Sequence, residues 1–210
     1  MKRTWTLVSV AALVSLIAVA CAQPPQEDVN AAQAEMDKAR QAQADKWAPT
    51  EFGAADQAMS AAQAEITAQN DRWLKNYDKA KELLGKAKEA AAKAGEAAVA
   101  NKEQAKKDAQ AAVAAADTAL QTADAALKVA PVTKDSKADL ALFKNDLETL
   151  RGTLDGAKQS LTGEDYKKAL ESASSVKDKA ASIADQLEQA KQKRAAKAPA
   201  KGSAKGAKKK

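Results

Sequence analysis

The stretch that decides the fold is Tyr77–Ala100, "YDKAKELLGKAKEAAAKAGEAAVA". Apolar or small side chains stand at Tyr77, Ala80, Leu84, Ala87, Ala91, Ala94 and Ala98, in alternating steps of three and four. Steps of that size place them on one stripe of an α-helix, and the seven-residue repeat is that of a coiled-coil seam. Lys and Glu fill the positions between, in the i,i+4 pattern of a solvated helix face. A seam made mostly of Ala buries little apolar area per residue, so its stability has to come from close approach of helices.

Toward the C-terminus the seam meets a polar residue, Asn101, which reads as a register device or a loose spot. Beyond Ala105 the stripe steps by four to Ala109 and continues through Ala112, Ala116, Leu120, Ala123 and Leu127. A four-plus-four step is a stutter that relaxes left-handed supercoiling. No proline intervenes before Pro131, so residues 76–130 are expected to form one helix of roughly 80 Å. "APVTKDS" (130–136) ends it, and Ser136 with Asp139 resembles a capping box at the start of a helix over about 136–161. Its seam is Leu140, Phe143, Leu147, Leu150, Leu154, Ala157 and Leu161, with Gly152 and Gly156 each costing about 1 kcal/mol relative to Ala. After Thr162-Gly163 a last helix, about 164–194, carries Tyr166, Ala169, Ala173, Val176, Ala180, Ile183 and Leu187.

On the N-terminal side, Val29, Ala32, Met36 and Ala39 begin a helix that should run to about Trp47. Ala48-Pro49 breaks it, with Pro49 suited to the first turn of the next helix. That helix carries Phe52, Ala55, Met59, Ala62, Ile66 and Trp73 along its seam, before a turn at "KNYD" (75–78). The order Ala-Pro, helix, polar turn, Tyr, Lys-Ala occurs twice, from Pro49 to Tyr77 and from Pro131 to Tyr166, the second span longer by one heptad. The expected fold is therefore all-α: an antiparallel helical bundle or coiled coil, made of two three-helix units sharing one long central helix. The first unit covers 26–130 and the second 131–194. The rings of Trp47, Phe52, Trp73, Tyr77 and Tyr166 are expected to close the ends of an otherwise thin core.

Composition narrows the function classes. Of 210 residues, 55 are Ala and seven aromatic, and there is no His and a single Cys. Disulfides within the chain, Cys/His zinc sites, Ser-His-Asp triads and His-based proton transfer are excluded together. Carboxylates are plentiful but alternate with Lys on outer helix faces, and a slim bundle offers hydrolytic pairs no cleft. The chain is read as non-enzymatic, without cofactor or metal.

The net charge of +6 is unevenly laid out. Residues 191–210 hold nine Lys or Arg and no acid, whereas 23 basic groups face 28 acidic ones between Thr4 and Ala190. The tail, 195–210 with Lys197, Lys201, Lys205, Lys208, Lys209 and Lys210, is expected to be disordered and to grip a polyanion. At the other end, "MKRTWTLVSVAALVSLIAVAC" couples Lys2 and Arg3 to an apolar run too short for a comfortable membrane span. Residues 1–20 read as a signal peptide cleaved after Ala20, leaving Cys21 and a polar linker to Pro25. Ala18-Val19-Ala20-Cys21 resembles the lipobox of bacterial lipoproteins, which implies a diacylglycerol on Cys21. Ala18 stands where Leu is usual, and small residues at Ala18 and Ala20 also suit release of a secreted, soluble form. Ala22 after the Cys implies, by the enterobacterial sorting rule, the outer membrane.

Trp47–Ala94, with "WAPTEF" and "NYDKAKELLGKAKEAA", resembles the bacterial envelope proteins of domain of unknown function 4398. Those are short Ala-rich lipoproteins, and "TGEDYKKALESAS" (162–174) repeats the latter half of their pattern without the aromatic before Ala-Pro. The resemblance brings no activity with it. It implies a lipoprotein on the periplasmic face of the outer membrane. The basic tail would then meet peptidoglycan, lipopolysaccharide or an acidic envelope protein rather than nucleic acid, and the "KKK" end invites a covalent link of Lys210 to peptidoglycan. The competing reading is a periplasmic adaptor or chaperone-like module whose helical grooves hold a partner. Ala-rich seams would also let copies of the chain associate.

Overall fold

A computed structural model describes residues 23–133 and 136–197, with the backbone alone at 195–197. Those residues form six helices: α1 (Gln26–Gln41), α2 (Ala44–Trp47), α3 (Pro49–Asn70), α4 (Asp78–Val129), α5 (Lys137–Thr162) and α6 (Tyr166–Lys197). No strand occurs among the described residues, and the fold is an all-α helical bundle. The chain divides into two compact units, residues 1–103 and 104–210, and the 52 residues of α4 contribute to both.

In the first unit the heptads fold as the spacing predicts. Tyr77, Ala80, Leu84, Ala87, Ala91, Ala94 and Ala98 are all buried. Ala32, Met59, Ala62, Leu84 and Ala87 form one packed cluster, edged by Val29, Ile66 and Leu83. Met36, Ala55 and Ala91 form the next, edged by Phe52 and Ala90. Along the two clusters α1 and α4 ascend while α3 descends, so α1 and α4 are parallel and α3 is antiparallel to both. Close approach is visible at Gly95, where an added Cβ would stand 3.7 Å from the Ala39 backbone.

One helix over 26–47 is not what forms. α1 stops at Gln41 because Gln43 takes a left-handed conformation (φ 59°), and a single turn, α2, carries the chain on to Trp47. That kink re-aims the chain so that Ala44, Trp47 and Ala48 are buried together instead of following the α1 stripe. The Ala48 carbonyl then accepts from the Phe52 N–H to start α3, with Pro49 in its first turn. α3 ends at Asn70, short of Trp73, and its last inward position is taken by a buried amide, Gln69.

The second unit has a heavier core. Leu120, Leu147, Leu150, Leu154, Val176, Ile183 and Leu187 pack with Ala116, Ala123, Ala157, Ala173 and Ala180, edged by Leu127, Leu140 and Phe143. Exposed ion pairs cross from α4 to α5, Arg151 with Asp124 and Lys158 with Asp117. The α5–α6 turn is tight. The N–H of Gly163 donates to the Gln159 carbonyl and that of Asp165 to the Ser160 carbonyl, and Glu164 rather than the glycine holds the left-handed position (φ 60°).

The expected capping box does not form. The Ser136 hydroxyl donates to the Pro131 carbonyl at 2.9 Å and accepts from the Thr133 N–H at 3.0 Å, so it ties the preceding loop instead of capping α5. α6 reaches Lys197, taking in three residues of the stretch whose basic composition suggests disorder. Between Ala98 and Ala109, α4 is continuous through Asn101 and Ala105 yet buries no residue, and the division into units falls inside that span.

Candidate functional site

The residues singled out from the sequence separate into three groups. Ala20, Cys21, Lys201, Lys205, Lys208, Lys209 and Lys210 lie outside the described residues, and Lys197 is the last residue of α6 with its side chain outside them. The second group closes core ends. Trp47 is 5% exposed with Lys46 Nζ 5.0 Å from its ring centroid, and Phe52 is half-buried under Arg40 at 5.8 Å. Tyr77 is 3% exposed and Tyr166 is buried at the start of α6. Pro49 is exposed at the first turn of α3. The third group is one residue, Trp73, and here the expectation is corrected: it plugs nothing. It is 95% exposed, because α3 ends three residues earlier and the loop carries its ring away from the core.

The loop between α3 and α4, residues 71–77, is the most elaborated polar structure among the described residues. The buried Gln69 Nε2 donates to Glu65 Oε1 at 2.8 Å, and Gln69 Oε1 accepts from the Asn76 N–H at 3.2 Å. The Tyr77 hydroxyl donates to Asn70 Oδ1 at 2.6 Å, which ties the last residue of the loop to the last residue of α3. Asn76 Oδ1 accepts from the Asp78 N–H at 2.8 Å and so opens α4. Lys79 Nζ meets Glu65 Oε2 at 3.0 Å. The bond from Gln69 and that from Lys79 hold the Glu65 carboxyl below the usual carboxylate range. Glu65, Gln69, Arg72, Asn76, Asp78 and Lys79 line an open depression of about 480 Å³. Its Glu65 carboxylate is paired with Lys79, and among the described residues no cluster of Asp and Glu would hold a metal ion.

With both its ends pinned, the loop presents its middle outward. Trp73 and its neighbour Leu74, 72% exposed, form an apolar pair between Arg72 and Lys75. Sequence reasoning placed Trp73 inward because it continues the three-four spacing of α3. The signal against that reading is local: Asn70-Asp71 is a helix-ending pair, and the spacing has no helix to act on beyond it.

At the opposite end of the first unit, Asn101 Nδ2 donates to the Trp47 carbonyl at 2.8 Å. That carbonyl stands at the C-terminal end of α2, where carbonyls lack a partner within the helix, and a side chain 54 residues away satisfies it. Asn101 is thus a tertiary cap. In the second unit a shallow groove of about 380 Å³ lies between α5 and α6, lined by Asp146, Thr149, Leu150, Lys179, Ser182 and Ile183. No helix of the described residues is long and apolar enough to cross a membrane. Compared with family models, with curated proteins and with solved structures, the chain matches none of them.

Proposed function

We propose that the chain is a non-catalytic lipoprotein of the bacterial cell envelope, a helical spacer anchored by a lipid on Cys21. Its basic tail grips an anionic layer, peptidoglycan or lipopolysaccharide. The observation that carries this reading is the division of charge: an acidic body between an apolar leader ending at the only Cys and a C-terminal stretch, residues 191–210, whose nine charges are all cations. The resemblance of Trp47–Ala94 to Ala-rich envelope lipoproteins supports the same placement. A body without His, and with its carboxylates paired to Lys and Arg on outer faces, supports a role in holding rather than in chemistry.

Each cation near an anionic surface adds about 1 kcal/mol, and the sum is screened by salt. Full-length protein should therefore sediment with isolated sacculi or outer-membrane vesicles at low salt and be released as salt rises. Removal of Lys197–Lys210 should abolish that behaviour, and sedimentation that ignores both salt and the tail would sink the tether. Labelling cells with radioactive palmitate, with Cys21→Ser as control, tests the anchor. Retention of function after loss of the tail would instead favour an adaptor whose helical grooves hold a partner.

A further inference from the structure

Among the described residues of the first unit, Trp73 and Leu74 are the most exposed large apolar side chains, ahead of the isolated Val99, and the fold fixes which end of the unit bears them. Met36 packs level with Ala91, and Ala39 stands level with Gly95, so α1 and α4 run side by side with an offset of 55 or 56 residues. The same register brings Pro25, at the entry to α1, level with Ala80, in the first turn of α4. α3 runs the other way, and its last core residue, Ile66, lies with Val29 and Leu83. The loop 71–77 and the point where the chain enters the unit are therefore at the same end. Cys21 precedes Pro25 by four residues, a reach of at most about 14 Å.

We propose that Trp73 and Leu74 insert into the interfacial zone of the membrane that holds the Cys21 lipid, as a second anchor beside it. This rests on the lipid reading above. Trp with a flanking aliphatic residue suits the headgroup level of a bilayer, where an amphipathic ring meets both water and acyl chain. Arg72 and Lys75 on either side have stems long enough to lie along the acyl boundary with their charges in the headgroups. The diacylglycerol on Cys21 already carries two acyl chains and holds the chain to the bilayer, and an apolar loop tip adds a second contact that fixes the orientation of the first unit against it.

The charge at this end selects the lipid chemistry. Glu27, Asp28, Glu65, Asp71 and Asp78 stand against Arg72, Lys75 and Lys79. An end with that balance gains nothing from anionic lipid, so the insertion is apolar and insensitive to salt, unlike the grip of the tail. The loop's pinning by Gln69, Asn70 and Asn76 keeps the pair presented before any membrane is met, which lowers the ordering cost of insertion.

The test uses the full chain with vesicles of phosphatidylcholine, one set carrying bromines near the headgroup end of the acyl chains. Trp5→Phe with Trp47→Phe leaves Trp73 as the sole indole, and Trp5→Phe with Trp73→Phe leaves Trp47. Trp73 emission should shift to shorter wavelength and fall about twofold with brominated lipid, at low and high salt alike, while Trp47 emission stays unchanged. Trp73→Ser with Leu74→Ser, made in the unlipidated Cys21→Ser chain so that the acyl chains do not mask the effect, should keep the helical circular dichroism and lower vesicle partitioning about tenfold. Trp73 emission unaffected by brominated lipid in vesicle-bound protein would overturn the proposal, as would partitioning unchanged by the double substitution. Palmitate labelling of the same preparations reports on the Cys21 lipid independently. Labelled protein with an unquenched Trp73 loses the tip and keeps the anchor, and unlabelled protein with a quenched Trp73 does the reverse.

Discussion

At the scale of single residues, the side chains that matter most here are amides. Asn101 occupies a seam position, where a heptad reading offers only register control. Its actual partner is a carbonyl 54 residues earlier, and no periodicity encodes that distance. Asn101→Ala should remove the bond and leave the Trp47 carbonyl to solvent, at a cost of about 1 kcal/mol in chemical denaturation, with Asn101→Leu no better. Gln69 is a similar case, a buried amide on a stripe of Ala and Met, legible only once the loop it serves is known. Beside it, the bonds from Gln69 and Lys79 depress the Glu65 pKa, so the folded loop binds that proton less readily than the unfolded chain does. The contribution is present above the ordinary carboxylate pKa and fades as pH falls through the lowered one. Acidification should loosen the loop before the core melts, read as faster amide exchange at Asn76, and Glu65→Gln should flatten that pH dependence.

At the scale of elements, the seams were the most readable part of the chain. Every heptad position from Tyr77 to Ala98 is buried, as are Leu147, Leu150, Leu154 and Ala157 of α5 and all seven seam residues of α6. The periodic pattern records which face has a neighbour, and long helices have many chances to record it. Where elements end was less readable. The α1–α2 kink depends on one residue entering the left-handed region, and Gln43 carries no mark of it. Trp73 carried the right spacing past the end of its helix, and Ser136 had cap chemistry but spent it on the loop behind. Glycine in α5 is a sharper matter. An added Cβ at Gly152 or Gly156 would meet nothing within 4 Å, so neither position is a close approach. Gly152→Ala and Gly156→Ala should each raise stability by about 1 kcal/mol, together roughly twice that, measured as a shift in the thermal midpoint.

At the scale of the whole molecule, the two units differ in what fills them. The first is closed by Ala and Met with Trp47 and Tyr77 at its ends; the second holds Leu, Val and Ile through most of its seam. Aliphatic side chains of that size bury more area than Ala, so the second unit should be the more stable. Amides of α5 and α6 should then exchange more slowly than those of α1 and α3, by about tenfold or more, in native-state hydrogen exchange. Equal protection across both would mean that close backbone approach in the Ala-rich unit compensates for its smaller side chains. The repeated Ala-Pro to Tyr pattern reads as units over 26–130 and 131–194, whereas the compact units meet between residues 103 and 104. That location was not legible, because residues 99–108 continue the helix-forming composition without interruption and only burial distinguishes them.

That span of α4 has a further consequence. From Lys102 to Asp108 no side chain is buried, so residues gained or lost there would cost neither core a neighbour. A chain built this way has one place, the middle of α4, where a change of length leaves the inward positions of each half in their own register.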